Sequence, residues 1–133
     1  MKPEDYDYMF QLNLRAPVIL TELLQEHLKE SKGCVVNVSC DKGSRPEAGM
    51  LGYCMSKAGL EMHTKTLALM LASYGVRVNA VAPSFVPTNF YRYAGVSDAD
   101  YGALKNRALK NIPLNRVAKE VEVAKTIIFI TSE

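Results

Sequence analysis

The chain has 133 residues, of which 48% are apolar and 23% charged, and its formal net charge is +2. That length suits one globular domain, and the composition excludes disordered and fibrous proteins. The near balance of charge gives no basis for a nucleic-acid partner. The most apolar early stretch, 12–24, is interrupted by Arg15, Pro17 and Glu22 and cannot span a membrane. The first residues lack the apolar core of a secretory signal, so we expect a cytoplasmic protein with no membrane partner.

Cysteine and histidine give little support for a metal centre. The three cysteines, Cys34, Cys40 and Cys54, include no C-x-x-C pair, which argues against a disulfide framework or a thiolate metal site. His27 and His63 fall in stretches with helical spacing and have no evident ligand partner nearby. The sequence therefore predicts no metal site.

The first thirty residues have helical periodicity. Pro3, followed by two acidic residues, is typical of a first helical turn, and apolar residues then recur every four positions to about Glu30. Pro17 lies inside this helix. Because proline has no N–H to donate to the carbonyl four residues earlier, we expect a kink there and an unpaired carbonyl on Asn13.

A buried strand and a second long helix follow. Gly33 ends the first helix, and the nearly continuous apolar run 34–38 is typical of a parallel strand buried on both faces. A loop over 40–49, rich in glycine, proline and charge, leads into a helix from about Leu51 to Tyr74. Gly75 is the expected C-terminal cap of that helix.

The rest of the chain predicts one more strand and two more helices. Residues 76–82 alternate as a strand that Pro83 stops, so strand, helix and strand form a parallel unit with a right-handed crossover. The segment 84–113 is less regular, with a short helix near 98–111, and a last helix covers about 119–131. The prediction is an α/β fold with about two strands and three to four helices. Two parallel strands cannot bury both faces and both edges of their sheet by themselves. The sequence therefore lacks the elements that would complete this sheet.

Tyr53 and Lys57 are the first candidate catalytic pair. They are four residues apart at the start of the second long helix, so they share one face. A lysine ammonium beside a phenol favours the phenolate and lowers the pKa of the tyrosine toward neutrality. Such a tyrosine can act as a general acid or base on an alcohol or ketone. An ordinary exposed pair on a helix would have the same spacing. The surrounding sequence therefore has to distinguish a catalytic pair from an exposed one.

Four linked segments supply that context. In order and spacing they resemble the short-chain dehydrogenase/reductase family, and they are residues 10–17, 36–40, 53–60 and 76–83. The resemblance covers nearly the whole chain. It implies a partial Rossmann-like, doubly wound parallel sheet. It also implies an oxidoreductase that transfers hydride between NAD or NADP and a small-molecule secondary alcohol or ketone.

The resemblance also implies roles for individual residues. Tyr53 would exchange a proton with the substrate oxygen, and Lys57 would bind the nicotinamide ribose and hold down the pKa of the tyrosine. Asn13 would anchor a water of the proton relay through its backbone carbonyl. The nicotinamide carboxamide would be contacted by the segment after the second strand, through Pro83, Val86 and Thr88. These groups follow the carboxyl ends of both strands, where open parallel sheets bind ligands.

Two positions depart from the family pattern. The family usually has serine thirteen residues before the tyrosine, where this chain has Cys40, and a thiol is a weak hydrogen-bond donor. Ser39 could take the role instead if the loop shifts by one residue, although neighbouring strand positions face opposite ways. Both stay candidates for the serine role. Ser84 stands where the family usually has glycine.

The family's glycine-rich Gly-x-x-x-Gly-x-Gly loop, which would receive the pyrophosphate at a helix N-terminus, does not occur in the sequence. We therefore expect residues 1–133 to be a partial short-chain dehydrogenase/reductase domain, truncated at both ends. The family commonly pairs through its two long helices, so a homo-oligomer is expected. A catalytically silent fragment that acts only as an oligomerisation module is the alternative. The aromatic residues Phe85, Phe90, Tyr91 and Tyr93 either pack together or wall an apolar substrate pocket.

Overall fold

The fold is known from a computed structural model that describes residues 2–132. It opens with α1 (Pro3–Phe10), one π-helical turn (Gln11–Arg15) and α2 (Ala16–Ser31), which run on without a break. The Ala16 N–H donates to the carbonyl of Gln11, five residues back. The irregularity caused by Pro17 is therefore a widened turn just before the proline and not a kink at it, because the wider turn makes room for the ring without ending the helix.

The parallel unit is present as predicted. Its elements are β1 (Cys34–Val38), a 3₁₀ turn (Asp41–Gly43), α3 (Leu51–Leu71), a second 3₁₀ turn (Ala72–Tyr74) and β2 (Arg77–Val81). The strands pair in parallel, from Cys34 opposite Arg77 to Val38 opposite Val81. The long helix ends one turn earlier than expected because its last turn tightens. Gly75 then caps it with a φ of 76°, a conformation that side chains with a Cβ disfavour.

Three helices follow the sheet: α4 (Phe90–Tyr93), α5 (Asp98–Asn111) and α6 (Glu120–Thr131). The Ser97 side chain begins α5 by accepting the Asp100 N–H at 3.2 Å. The structure thus has six α-helical segments among residues 2–132, against three to four predicted. The difference is the π turn that divides the first helix and the four-residue α4, which is too short to show periodicity.

The core lies between α3 and the sheet. Leu67 and Leu71 pack with Val76 and Val78 in its buried centre. One face of α3 is buried along its whole length, through Gly52, Ser56, Leu60, Thr64, Leu67 and Leu71. The Asn37 amide of β1 donates to the Thr64 hydroxyl at 2.9 Å, and both groups are buried. This bond fixes the height of α3 on the sheet and therefore the height of its first turn.

The other side of the sheet is open. Val38 is 48% exposed, so the prediction that β1 is buried on both faces is wrong for the described residues. A groove of about 950 Å³ runs between α2 and β1, and its apolar lining includes Leu20, Leu23 and Leu24. The described sheet has two strands, as predicted, and it leaves apolar surface uncovered. No helix within residues 2–132 combines the length and apolar character needed to cross a membrane.

Candidate active site

The site forms where the carboxyl ends of the two strands meet. Beyond the regular strands, the Ser39 N–H donates to the Val81 carbonyl at 2.8 Å and the Asp41 N–H to the Pro83 carbonyl at 3.1 Å. These two bonds hold the loops that leave β1 and β2 side by side. The first turns of α3 lie next to both loops, so residues distant in sequence share one cleft.

All eight residues that the sequence singled out line this one cleft, whose volume is about 590 Å³. They are Asn13, Ser39, Cys40, Tyr53, Lys57, Pro83, Val86 and Thr88. Helix α6 adds an apolar wall through Val123, Ala124 and Ile127, which the sequence had not indicated. The signal for that wall is the apolar periodicity of α6, but nothing in the sequence shows which surface α6 covers.

Tyr53 and Lys57 are neighbours, yet the expected effect on the tyrosine pKa is not seen. The Lys57 Nζ lies 5.8 Å from the centre of the Tyr53 ring and donates to the Val38 carbonyl at 2.9 Å. Burial, followed by the neighbouring Cys40 side chain, raises the pKa of Tyr53 well above its ordinary value. Burial also lowers the pKa of Lys57. The pKa of Tyr53 is therefore raised and not lowered toward neutrality as predicted, because burial desolvates the phenolate.

Asn13 reaches Tyr53 through a residue that the sequence analysis missed. The Asn13 Nδ2 donates to the Ser56 Oγ at 3.2 Å, and the Ser56 Oγ donates to the Tyr53 carbonyl at 2.8 Å. Ser56 is 0% exposed. This chain ties the π-helical turn to the first turns of α3. One sequence signal could have indicated Ser56. It is a small residue four positions after Gly52, on the same face of α3.

Ser39 and Cys40 point to different partners. The buried Ser39 hydroxyl donates to Glu61 Oε1 of α3 at 3.0 Å. The Cys40 thiol donates to Asp41 Oδ1 at 3.4 Å and lies close enough to Tyr53 to raise its pKa. Burial is the main cause of the raised pKa of Cys40 itself. Of the two candidates for the serine role, Cys40 is the one beside the phenol.

A second cavity of about 400 Å³ adjoins the cleft. The two share five lining residues, which are Cys40, Tyr53, Ser84, Phe90 and Tyr91. One wall of the second cavity is charged: Lys42 pairs with Glu47 at 2.8 Å, and Arg107 of α5 also pairs with Glu47. The Tyr53 side chain therefore stands at the junction of an apolar cleft and a partly charged cavity.

The aromatic residues of the 84–113 segment divide between the two expected roles. Phe85 is buried and stacks on Tyr91 at 4.8 Å between ring centres. Phe90 and Tyr91 line both cavities, and the Phe90 ring lies 5.9 Å from that of Tyr53. Tyr93 is 86% exposed and lines neither. Packing and pocket lining thus occur together, and Tyr93 has neither role.

The polar groups of the cleft can hold the sugar and carboxamide end of a nicotinamide dinucleotide. The Lys57 ammonium and the Tyr53 and Thr88 hydroxyls are hydrogen-bonding groups of the kind such an end requires, and the α6 wall is apolar. The phosphate end finds no glycine-rich cradle in this sequence. Within residues 2–132 no group of three or more histidine, cysteine or acidic side chains is arranged to hold a metal ion.

Comparison with known proteins agrees with this architecture. The whole chain, residues 1–133, matches the sequence profile of the family described as Enoyl-(Acyl carrier protein) reductase. It is 37% identical to the 3-oxoacyl-[acyl-carrier-protein] reductase FabG of Thermotoga maritima, over 100% of this chain and 52% of the relative. It is 34% identical to the L-xylulose reductase of Caenorhabditis elegans, over 98% of this chain and 51% of the relative.

A solved structure gives the same result. A Caenorhabditis elegans short-chain dehydrogenase/reductase of unknown function, crystallised with cofactor, superposes with a TM-score of 0.88 and 32% identity. The superposition covers 98% of this chain and 49% of that chain. The parallel α/β unit described above is therefore shared with a short-chain dehydrogenase/reductase. The chain belongs to the short-chain dehydrogenase/reductase family, and it spans about half the length of the curated relatives it matches.

Proposed function

We propose that this chain supplies the catalytic half of an NAD- or NADP-dependent oxidoreductase that interconverts a small-molecule secondary alcohol and a ketone, with Tyr53 as general acid and base. The observation that carries the proposal is the convergence of the eight predicted residues on one cleft, with Tyr53 at its junction with a second cavity. The names of the relatives support it, since those quoted above are reductases.

The proton is handled by Tyr53. When bound, the nicotinamide supplies or accepts the hydride. In the reducing direction the Tyr53 hydroxyl gives its proton to the substrate oxygen and becomes a phenolate, and in the oxidising direction the phenolate takes that proton back. The raised pKa of Tyr53 keeps the phenol protonated at neutral pH, which favours the donating form. Lys57 would stabilise the phenolate once it forms, because its ammonium lies beside the ring.

The remaining residues keep this geometry fixed. The Ser56 hydroxyl donates to the backbone carbonyl of Tyr53 and accepts from the Asn13 amide, which ties the first turns of α3 to the π-helical turn. Cys40 lies beside the phenol and is our choice over Ser39 for the position that faces the substrate. Pro83, Val86 and Thr88 would border the nicotinamide ring, because they line the same cleft opposite the first turns of α3.

Substitution of Tyr53 tests the proposal directly. In a chimera of this chain behind the unmatched half of the Thermotoga maritima relative, Tyr53→Phe should lower kcat for ketone reduction by on the order of 100-fold or more. Tyr93→Phe, at an exposed tyrosine outside both cavities, should leave kcat unchanged. The measurement is loss of NADH or NADPH absorbance against a ketone panel. Equal activity of the two variants would contradict the role of Tyr53.

The oligomerisation alternative also has an observation behind it. Met55, Met62 and Leu69 lie seven residues apart along α3 and are all exposed. Residues at this spacing form one apolar stripe on a helix, which is the pattern of a helix-pairing surface. Pairing of two copies through the long helices is compatible with catalysis. If the chain pairs but the chimera has no Tyr53-dependent activity, the oligomerisation module is the better description.

A further inference from the structure

We propose that Tyr91 is a second hydrogen-bond donor to the substrate oxygen, beside Tyr53; this inference rests on the proposed function. A carbonyl oxygen has two lone pairs and can accept two hydrogen bonds. Tyr53 would supply one of them. Because the thiol of Cys40 is a weak donor, another side chain at the junction of the cleft and the second cavity is placed to supply the other; five lining residues are shared there.

Most of those five residues cannot serve. Phe90 has no polar atom, and the Cys40 thiol already donates to Asp41. Ser39, which lines the cleft alone, is buried and donates to Glu61. The hydroxyls that remain at the junction are those of Tyr53, Ser84 and Tyr91. The choice for the second donor is therefore between Ser84 and Tyr91.

The packing of Tyr91 favours it over Ser84. Its ring stacks on the buried Phe85 at 4.8 Å and lies 5.2 Å from Phe90 and 5.7 Å from Tyr101, each measured between ring centres. Ser84 lies in an exposed loop position without such support. A donor whose position is fixed before the substrate binds loses less conformational freedom on binding.

The hydroxyl of Tyr91 is also reachable and protonated. Among residues 2–132 no buried side-chain oxygen or nitrogen lacks a hydrogen-bond partner, so a phenol oxygen without a protein partner faces open space. Tyr91 lines both cavities. Burial, followed by the charge of Cys40, raises the pKa of Tyr91 to about 12, so its proton is present at neutral pH.

The test measures the hydrogen bonds on a bound carbonyl. Cyclohexanone labelled with ¹³C at its carbonyl is titrated into the 133-residue chain with NAD⁺ and NADP⁺ present, and the ¹³C shift of the bound carbonyl is recorded. Hydrogen bonding moves this resonance downfield. Tyr91→Phe keeps the ring and removes the hydroxyl, so we expect part of the downfield shift to be lost. The Kd should rise roughly three- to tenfold.

Three variants separate the possible failures. Ser84→Ala should retain the full shift, and Tyr53→Phe should lose part of it, as Tyr91→Phe does. A full shift in Tyr91→Phe together with a reduced shift in Tyr53→Phe overturns the inference and leaves the proposed function standing. No bound carbonyl in the parent chain overturns the inference alone, because the proposed function is tested in the chimera. No effect of Tyr53→Phe on the shift overturns both. Near-UV circular dichroism of each variant shows that the aromatic packing is retained.

Discussion

At the scale of single residues, the positions of Tyr53 and Lys57 depend on one local contact and one distant contact. Tyr53 and Lys57 are four residues apart, so a local rule places them together. The contact that supports them joins Asn13 to Ser56, 43 residues apart, and no local rule gives that distance. The pKa of Tyr53 was predicted in the wrong direction for a related reason. Lysine proximity can be read from spacing, whereas burial depends on the elements that pack over the ring.

Ser56 gives a test of that support. Ser56→Ala removes both the acceptor for the Asn13 amide and the donor to the Tyr53 carbonyl at a fully buried position. We expect the free energy of unfolding to fall by about 1–3 kcal/mol, because buried polar groups lose their partners. Urea denaturation followed by circular dichroism measures it. Ser73→Ala, at an exposed serine just beyond the same helix, should change it by less than about 0.5 kcal/mol.

At the scale of elements, long periodic segments were predicted well and short ones were missed. α5 spans Asp98–Asn111, in agreement with the short helix predicted near 98–111. α4 has only four residues, and the π turn is a single turn inside a continuous helix, so neither leaves a clear pattern. The position of α6 over the cleft is determined by tertiary contacts, which no local sequence pattern shows. It depends partly on Arg77 of β2, which donates to the carbonyls of Ile130 and Ser132.

The first turn of α6 should respond to acid. Arg116 donates two hydrogen bonds of 2.8 Å to Glu122, which also accepts the Lys119 N–H at 2.8 Å. These contacts lower the pKa of Glu122 to about 2, from 4.5. A carboxyl whose pKa is lower in the folded chain than in the unfolded chain stabilises the fold at every pH above its unfolded pKa. That stabilisation is lost as pH falls from 4.5 through about 2.

Glu122→Gln should therefore unfold more easily than the parent at pH 7 and differ less from it at pH 2. The difference follows from loss of the carboxylate that Arg116 and Lys119 share. Urea midpoints at the two pH values measure the effect. Glu120→Gln is the matched control in the same helical turn, since Glu120 makes no ion pair within residues 2–132. A parent–variant difference that is the same at both pH values would argue against this role of the ion pair.

At the scale of the whole molecule, the fold class was predicted because strand, helix and strand is a strongly constrained unit.

The homo-oligomer remains a prediction, and the exposed stripe of α3 makes it testable. Leu69, 82% exposed, is the last and most exposed residue of that stripe. Leu69→Glu should shift the chain toward monomer in sedimentation velocity, because a charge placed in an apolar interface is costly. Leu114→Glu, the same change at an exposed leucine outside α3, is the control. Equal sedimentation of parent and Leu69→Glu would contradict the interface.

The one-sided pairing of β1 has a consequence for the exchange of its backbone hydrogens. The Ser39 N–H points toward β2, so by strand alternation the amides of Val35 and Asn37 point the same way. The amides of Val36 and Val38 face the open edge. In deuterated solvent we expect Val36 and Val38 to exchange rapidly while Val35 and Asn37 stay protected, as read by two-dimensional NMR. Any polypeptide that pairs with this edge would slow exchange at Val36 and Val38, so these two amides report whether the sheet is complete.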